Sequence, residues 1–175
     1  MESHTLQTMI DEPKLQARIA EMGREIQDRY EGKPLTLIGV LKGSVLFLAD
    51  LVRHLDSNVN MEFIAVSSYS GTSSTGAVRM ITDLKTDIEG QHCLIVEDIV
   101  DTGLTMQYLL RLLAARNPAS LAVCTLLDKP SRRKTNVPVD FCGFSIQDRF
   151  VVGYGLDLDE RYRNLRYIAE VLLDE

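Results

Sequence analysis

The chain has 175 residues, 45% hydrophobic and 25% charged, with a formal net charge of −6. That length closes a hydrophobic core unaided, and the acidic balance excludes broad electrostatic binding to nucleic acid or anionic membrane. Three cysteines (Cys93, Cys124 and Cys142) stand singly in apolar runs, without the spacing of a zinc site or disulfide framework, so reduced thiols in a cytoplasmic setting are expected.

The opening stretch MESHTLQTMIDEPK is polar and acidic, unlike a signal peptide. No apolar run approaches the ~18 residues that span a bilayer; Arg111 interrupts even LLRLLAA. Residues 13–30 read as a helix, because Leu15, Ile19, Met22 and Ile26 recur three or four apart. Asp11 suits its N-cap, and Gly32 with Pro34 ends it. Leu35 to Leu41 (LTLIGVL) has strand length, and after Lys42-Gly43-Ser44 a second helical pattern runs through Val45, Leu48, Leu51 and Leu55. Further strand-length runs are 61–67, 93–96, 121–127, 141–146 and 150–152. A helix is expected over about 102–116, with Leu109, Leu110, Leu112 and Leu113 as its apolar face.

Nearly continuous apolar strands alternating with helices imply an α/β fold, a mostly parallel sheet covered on both faces within one domain over 1–175. Ligands of such sheets bind beyond the carboxyl ends of the strands. Between two of the runs lies SSYSGTSSTGA (67–77), too polar to pack and rich in glycine, which reads as either a surface hairpin or a mobile flap over a ligand.

The segment 94–105, LIVEDIVDTGLT, carries the chemistry. An apolar strand ends in adjacent carboxylates, Glu97 and Asp98; a third, Asp101, precedes the turn Thr102-Gly103, which opens a helix. Backbone N–H groups of such a turn and of a helix N-terminus bind anions, and Thr102 and Thr105 add hydroxyl donors. Gly103 lets the backbone approach a phosphate without a Cβ in the way. Paired acids suit ribose hydroxyls or a hard divalent cation. The plainer alternative is that Asp98 or Asp101 merely caps the helix.

LIVEDIVDTGLT resembles the phosphoribosyl pyrophosphate-binding motif of the type I phosphoribosyltransferases. LKGS (41–44), SSYSG (67–71), LLDKPSRRK (126–134) and FVVGYGLDLDERYRNL (150–165) narrow the likeness to the hypoxanthine-guanine branch, over almost the whole chain and in the family's order. The resemblance implies a parallel sheet with a small hood and a flexible flap. It also implies an Mg2+-dependent transfer of a 5-phosphoribosyl group to a 6-oxopurine, in a homodimer or homotetramer.

The same resemblance assigns roles to individual residues. Glu97 and Asp98 would address the ribose hydroxyls and magnesium, and Asp101 would act as general base for the N7 proton. Asp101, Thr102, Gly103, Leu104 and Thr105 would wrap the 5′-phosphate. Leu104 departs from the polar or basic side chain of many relatives, although its backbone N–H still serves. Lys129 would donate to the 6-oxo oxygen, and Phe150 would stack on the purine with Leu156 opposite. Val151 and Asp157 would offer backbone contacts to the base edge. Asp157 would also hold a second magnesium, Arg163 would reach pyrophosphate, and Lys42 and Gly43 would contact it through a turn whose Leu41–Lys42 peptide is often cis in relatives. Ser68 and Tyr69 would belong to the flap.

Taken singly, Lys129 is a surface charge, Phe150 a core residue and Arg163 a helix-surface residue. Two rivals share the fold: a regulator that binds nucleotide and RNA, and an enzyme using adenine, xanthine, uracil or orotate. The acidic charge speaks against the first, and Lys129 disfavours adenine in the second.

Overall fold

The computed structural model describes residues 4–56, 58–68 and 78–173. In chain order the elements are β1 (His4–Ile10), α1 (Glu12–Arg29), β2 (Leu35–Leu41), α2 (Val45–Val52), β3 (Val59–Ser68), β4 (Val78–Thr82), β5 (His92–Val100), α3 (Leu104–Ala114), β6 (Ser120–Asp128), a 3₁₀ turn (Pro130–Arg132), β7 (Phe141–Ser145), β8 (Val151–Val152) and β9 (Ile168–Leu173). A six-stranded sheet has the order β4-β3-β2-β5-β6-β7, and a three-stranded sheet the order β1-β9-β8. In the larger sheet every neighbouring pair is parallel except β3 with β4. The expected α/β class with a mostly parallel sheet is therefore what the chain adopts. None of the helices among the described residues is long and apolar enough to cross a membrane.

Local chemistry explains the elements. Asp11 has extended backbone and its carboxylate accepts a 2.9 Å hydrogen bond from the Lys14 amide, capping α1 as expected. Leu15, Ile19, Met22 and Ile26 form its buried stripe. The central strands are buried on both faces, and alternate residues divide between two cores. Leu37, Leu94, Val96, Cys124 and Leu126 pack with α1 and α2, whereas Ile38, Val40, Ile95 and Val123 pack with Met106, Leu109 and Leu113 of α3.

Several features differ from the expectations, among them α2, which ends at Val52 and not at Leu55. The helix expected over 102–116 is shorter, because Gly103 takes a positive φ of 85° just before it and Ala115 ends it. The strand expected to stop at Val96 continues to Val100, because β6 runs beside it and pairs Glu97 with Thr125 and Val100 with Asp128. β1, β4 and β9 were not foreseen. Ser67 and Ser68 pair with Arg79 and Val78 in the antiparallel β3–β4 ladder, so they belong to the strand; Tyr69 and the rest of the expected flap lie outside the described residues.

Strand order reverses between β2 and β5. From β2 the sheet grows outward through β3 to β4, and from β5 through β6 to β7. The β2–β5 ladder ends at Gly39 and Val96, while β5 runs on alongside β6. A crevice opens at the carboxyl ends of these strands, at the position where open α/β sheets bind ligands.

Candidate active site

β5 delivers its acids into that crevice. A cleft of about 250 Å³ is lined by Glu97, Asp98, Asp101, Thr102, Gly103 and Thr105, among others. Glu97 is buried and Asp98 half-buried; the Asp98 amide donates to Glu97 Oε1 at 3.1 Å, and Asp98 Oδ1 accepts from the Ile99 amide at 2.7 Å. Burial, and next the Asp98 charge, hold the Glu97 carboxyl well above the usual carboxylate range. Burial also pushes Asp98 up, opposed by hydrogen bonds from Glu97 and the backbone and by the charge of Arg163. Two crowded carboxylates of this kind gain from a divalent cation or from hydroxyl donors, so the donor set fits magnesium and ribose.

Neither Asp98 nor Asp101 caps α3. Gly103 occupies the N-cap and supplies no side chain; only Thr102 Oγ1 approaches the Leu104 amide, at 3.4 Å. The first amides of α3 thus face the cleft as an anion site. A Cβ at Gly103 would stand 3.0 Å from the Thr135 carbonyl oxygen, and its positive φ favours glycine independently.

The turn after β2 abuts Asp98 and forms a neighbouring wall. The Leu41–Lys42 peptide is cis, as the resemblance implies. Gly43 lies flat against the Asp98 carboxylate on one side and Gly155 on the other, with no room for a Cβ at either glycine. Arg163 reaches this wall: it donates to the Gly155 carbonyl at 2.6 Å and pairs with Asp157 at 3.0 Å, while its Nε is buried without a hydrogen-bond partner. Lys42 extends outward to Glu160 at 3.2 Å.

Beyond β6 stands the third group of residues. Lys129 is only 7% exposed, unusual for lysine, and its ammonium faces Asp148 at 3.7 Å. Arg132 pairs with Asp101 at 3.2 Å and with Asp148 at 3.6 Å. Phe150 is 53% exposed and stands outside both cores, whereas Leu156 is buried in the larger one and Val151 pairs with Glu170 between β8 and β9.

The cleft therefore gathers Glu97, Asp98, Asp101, Thr102, Gly103 and Thr105; Gly43 abuts Asp98, Arg163 with Asp157 reaches Gly43 through Gly155, and Lys42 extends away to Glu160. It does not draw Glu97, Asp98 and Asp157 into one metal cluster: among the described residues no three His, Cys, Asp or Glu side chains converge on a metal position. Sequence reasoning missed Arg133, whose guanidinium binds backbone carbonyls of Val100 at the end of β5 and of Asp101 and Lys129 in the loops after β5 and β6. An arginine within SRRK gives no periodic signal for such a contact.

A strand-order reversal, an uncapped helix opening on a glycine turn, and paired acids beside it define an α/β protein with an anion-binding crevice at its switch point. The sequence pattern of the phosphoribosyl transferase domain matches residues 7–159, and the chain belongs to that family. It is 53% identical over 176 residues to the hypoxanthine phosphoribosyltransferase of Escherichia coli (strain K12), covering 98% of this chain and 99% of the relative. It is 49% identical over 162 residues to the hypoxanthine-guanine-xanthine phosphoribosyltransferase of Tritrichomonas foetus, covering 92% and 88%. A crystal structure of a hypoxanthine-guanine phosphoribosyltransferase from Bacillus anthracis superposes with a TM-score of 0.91 at 42% identity, covering 97% of this chain and 99% of that one.

Proposed function

We propose that this protein transfers the 5-phosphoribosyl group from phosphoribosyl pyrophosphate to N9 of hypoxanthine, and of guanine. The observation that carries the reading is the placement of Glu97, Asp98 and the Asp101–Thr105 turn at the strand-order reversal, with the buried Lys129 directly after the next strand. The C1′–oxygen bond to pyrophosphate breaks, the N9–C1′ bond forms, and the N7 proton passes to the Asp101 carboxylate. The amides of Thr102 to Thr105 hold the 5′-phosphate, with Leu104 contributing through its backbone. Glu97 and Asp98 orient the ribose hydroxyls. Arg163 and the Lys42-Gly43 turn address the departing pyrophosphate. Glu97 and Asp98 would hold one magnesium ion and Asp157 a second, each completed by substrate oxygens, and the metal would supply charge neutralisation there.

Lys129 donates to the 6-oxo oxygen of hypoxanthine or guanine, whereas the 6-amino group of adenine would face it donor to donor. Phe150 offers an open ring face to the purine. Xanthine is the second reading, favoured by the name of the Tritrichomonas relative. We assign a homodimer or homotetramer and a cytoplasmic setting, in keeping with three free cysteines, of which Cys93 and Cys124 are buried.

The test is product formation from phosphoribosyl pyrophosphate and each of hypoxanthine, guanine, xanthine and adenine, with magnesium and after exhaustive chelation. Hypoxanthine and guanine should react only with the cation present and adenine poorly. Reaction with none of the four, or undiminished turnover after chelation, would overturn the proposal.

A further inference from the structure

We infer that Arg133 is a positioning residue that fixes the separation of the proton acceptor from the 6-oxo reader, and so determines base specificity. This rests on the functional reading above, since it is the roles of Asp101 and Lys129 that give the separation its meaning. The Arg133 side chain is 19% exposed. Its Nη1 donates to the carbonyl oxygens of Val100 at 3.0 Å, Asp101 at 2.8 Å and Lys129 at 3.5 Å, and its Nη2 to the Asp128 carboxylate. One planar cation therefore binds the backbone of both Asp101 and Lys129, whose side chains would reach N7 and the 6-oxo oxygen of the purine.

The position in the fold explains the need. Paired register between β5 and β6 ends at Val100 and Asp128. Asp101 and Lys129 are each the next residue, where the ladder no longer sets their spacing. The Lys129 amide still donates to the Val100 carbonyl at 3.0 Å, but the Asp101 carbonyl is taken by the guanidinium. The rest of the loop follows the same course: the amides of Lys134 and Thr135 donate to the Thr102 carbonyl at 2.9 and 3.4 Å. The segment after β6 thus folds back over the phosphate turn, with Arg133 at its centre.

Geometry also specifies arginine over lysine. A guanidinium presents a rigid fork of donors that can serve several carbonyls and a carboxylate at once, whereas an ammonium is a compact point charge. Arg133→Lys keeps the charge and loses the fork. Asp101 and Lys129 would then be free to shift relative to one another, and misplacement by about 1 Å can cost ~10²-fold in rate.

The experiment compares Arg133→Lys, Arg133→Met and Lys129→Gln with the parent. It measures kcat and KM for hypoxanthine and adenine, KM for phosphoribosyl pyrophosphate, and thermal midpoints. For Arg133→Lys we expect kcat/KM for hypoxanthine to fall at least ~30-fold and the hypoxanthine-to-adenine ratio to narrow at least ~10-fold, in keeping with that misplacement cost. The KM for phosphoribosyl pyrophosphate should stay within a few-fold. The ratio is independent of the fraction of enzyme folded, because both bases meet the same preparation. Should Arg133→Met fail to fold, Arg133→Lys decides alone. A ratio unchanged in Arg133→Lys but narrowed in Lys129→Gln overturns the positioning role and leaves the functional reading standing. A ratio unchanged in both overturns that reading, and this inference with it.

Discussion

The Asp98 carboxylate occupies the space that a Cβ on Gly43 would need, so the turn after β2 and the acid pair of β5 are in direct contact across the strand-order reversal. Gly43→Ala must displace one of them. We expect kcat/KM for phosphoribosyl pyrophosphate to fall roughly 10–100-fold, from misplacement of about 1 Å at the pyrophosphate wall. Steady-state kinetics with that substrate varied, alongside circular dichroism, checks this. A variant within about threefold of the parent would remove the contact from substrate binding.

Glu97 gives a stability prediction with a definite sign. Its carboxyl is held above the usual range by burial and by Asp98, so the folded state keeps a proton that the unfolded chain releases. The stability this proton confers is fully present below the unfolded value of ~4.3 and is lost as pH rises through the folded one. Glu97→Gln removes the dependence. The variant should melt higher than the parent at neutral pH, by a few degrees if the relief is ~1 kcal/mol, and the two should converge near pH 4. Melting curves from pH 4 to 8 test it; a lower midpoint for the variant at neutral pH contradicts it.

Asp101→Asn should leave the fold intact, because the side chain is 41% exposed and its ion pair with Arg132 is half in solvent. Turnover should drop ~10²–10⁴-fold through loss of the general base, with KM values changed much less. Pre-steady-state measurement of nucleotide formation separates this from slow release. Turnover within a few-fold of the parent would take Asp101 out of proton transfer.

Phe150→Ala tests the purine platform. With the ring 53% exposed and outside both cores, the thermal midpoint should move little. Stacking of a base on an aromatic ring is worth ~1–3 kcal/mol, so KM for hypoxanthine should rise about 5–100-fold while KM for phosphoribosyl pyrophosphate stays put. Equal loss for both substrates would mark a structural role.

The extent to which these residues were legible in the sequence follows the range of the interactions involved. α1 and β2 match their expected limits closely because a cap, a helical stripe and a continuous apolar run are local signals. The turn over 101–105 was legible for the same reason, its glycine, threonines and acid being adjacent. The course of β5 past Val96 was not, since nothing apolar marks Glu97 and Asp98; the neighbouring β6 draws them into the ladder. Lys129 read singly is a surface charge, and only the family resemblance reversed that; it is in fact buried. Arg133 acts through backbone carbonyls, which no side-chain pattern records. β1 and β9 join residues such as Leu6 and Val171, far apart in the chain, with no turn signal between them.

That last pairing bears on how the strand after Phe150 is held. β5, α3 and β6 lie within residues 92–128, but β8 pairs with β9, which starts at Ile168 and lies against β1. Closing so long a loop is slow relative to local contacts. The strand that follows Phe150 is therefore among the last to be fixed as the chain folds, because it is held by β9, and β9 in turn by β1 on its other edge.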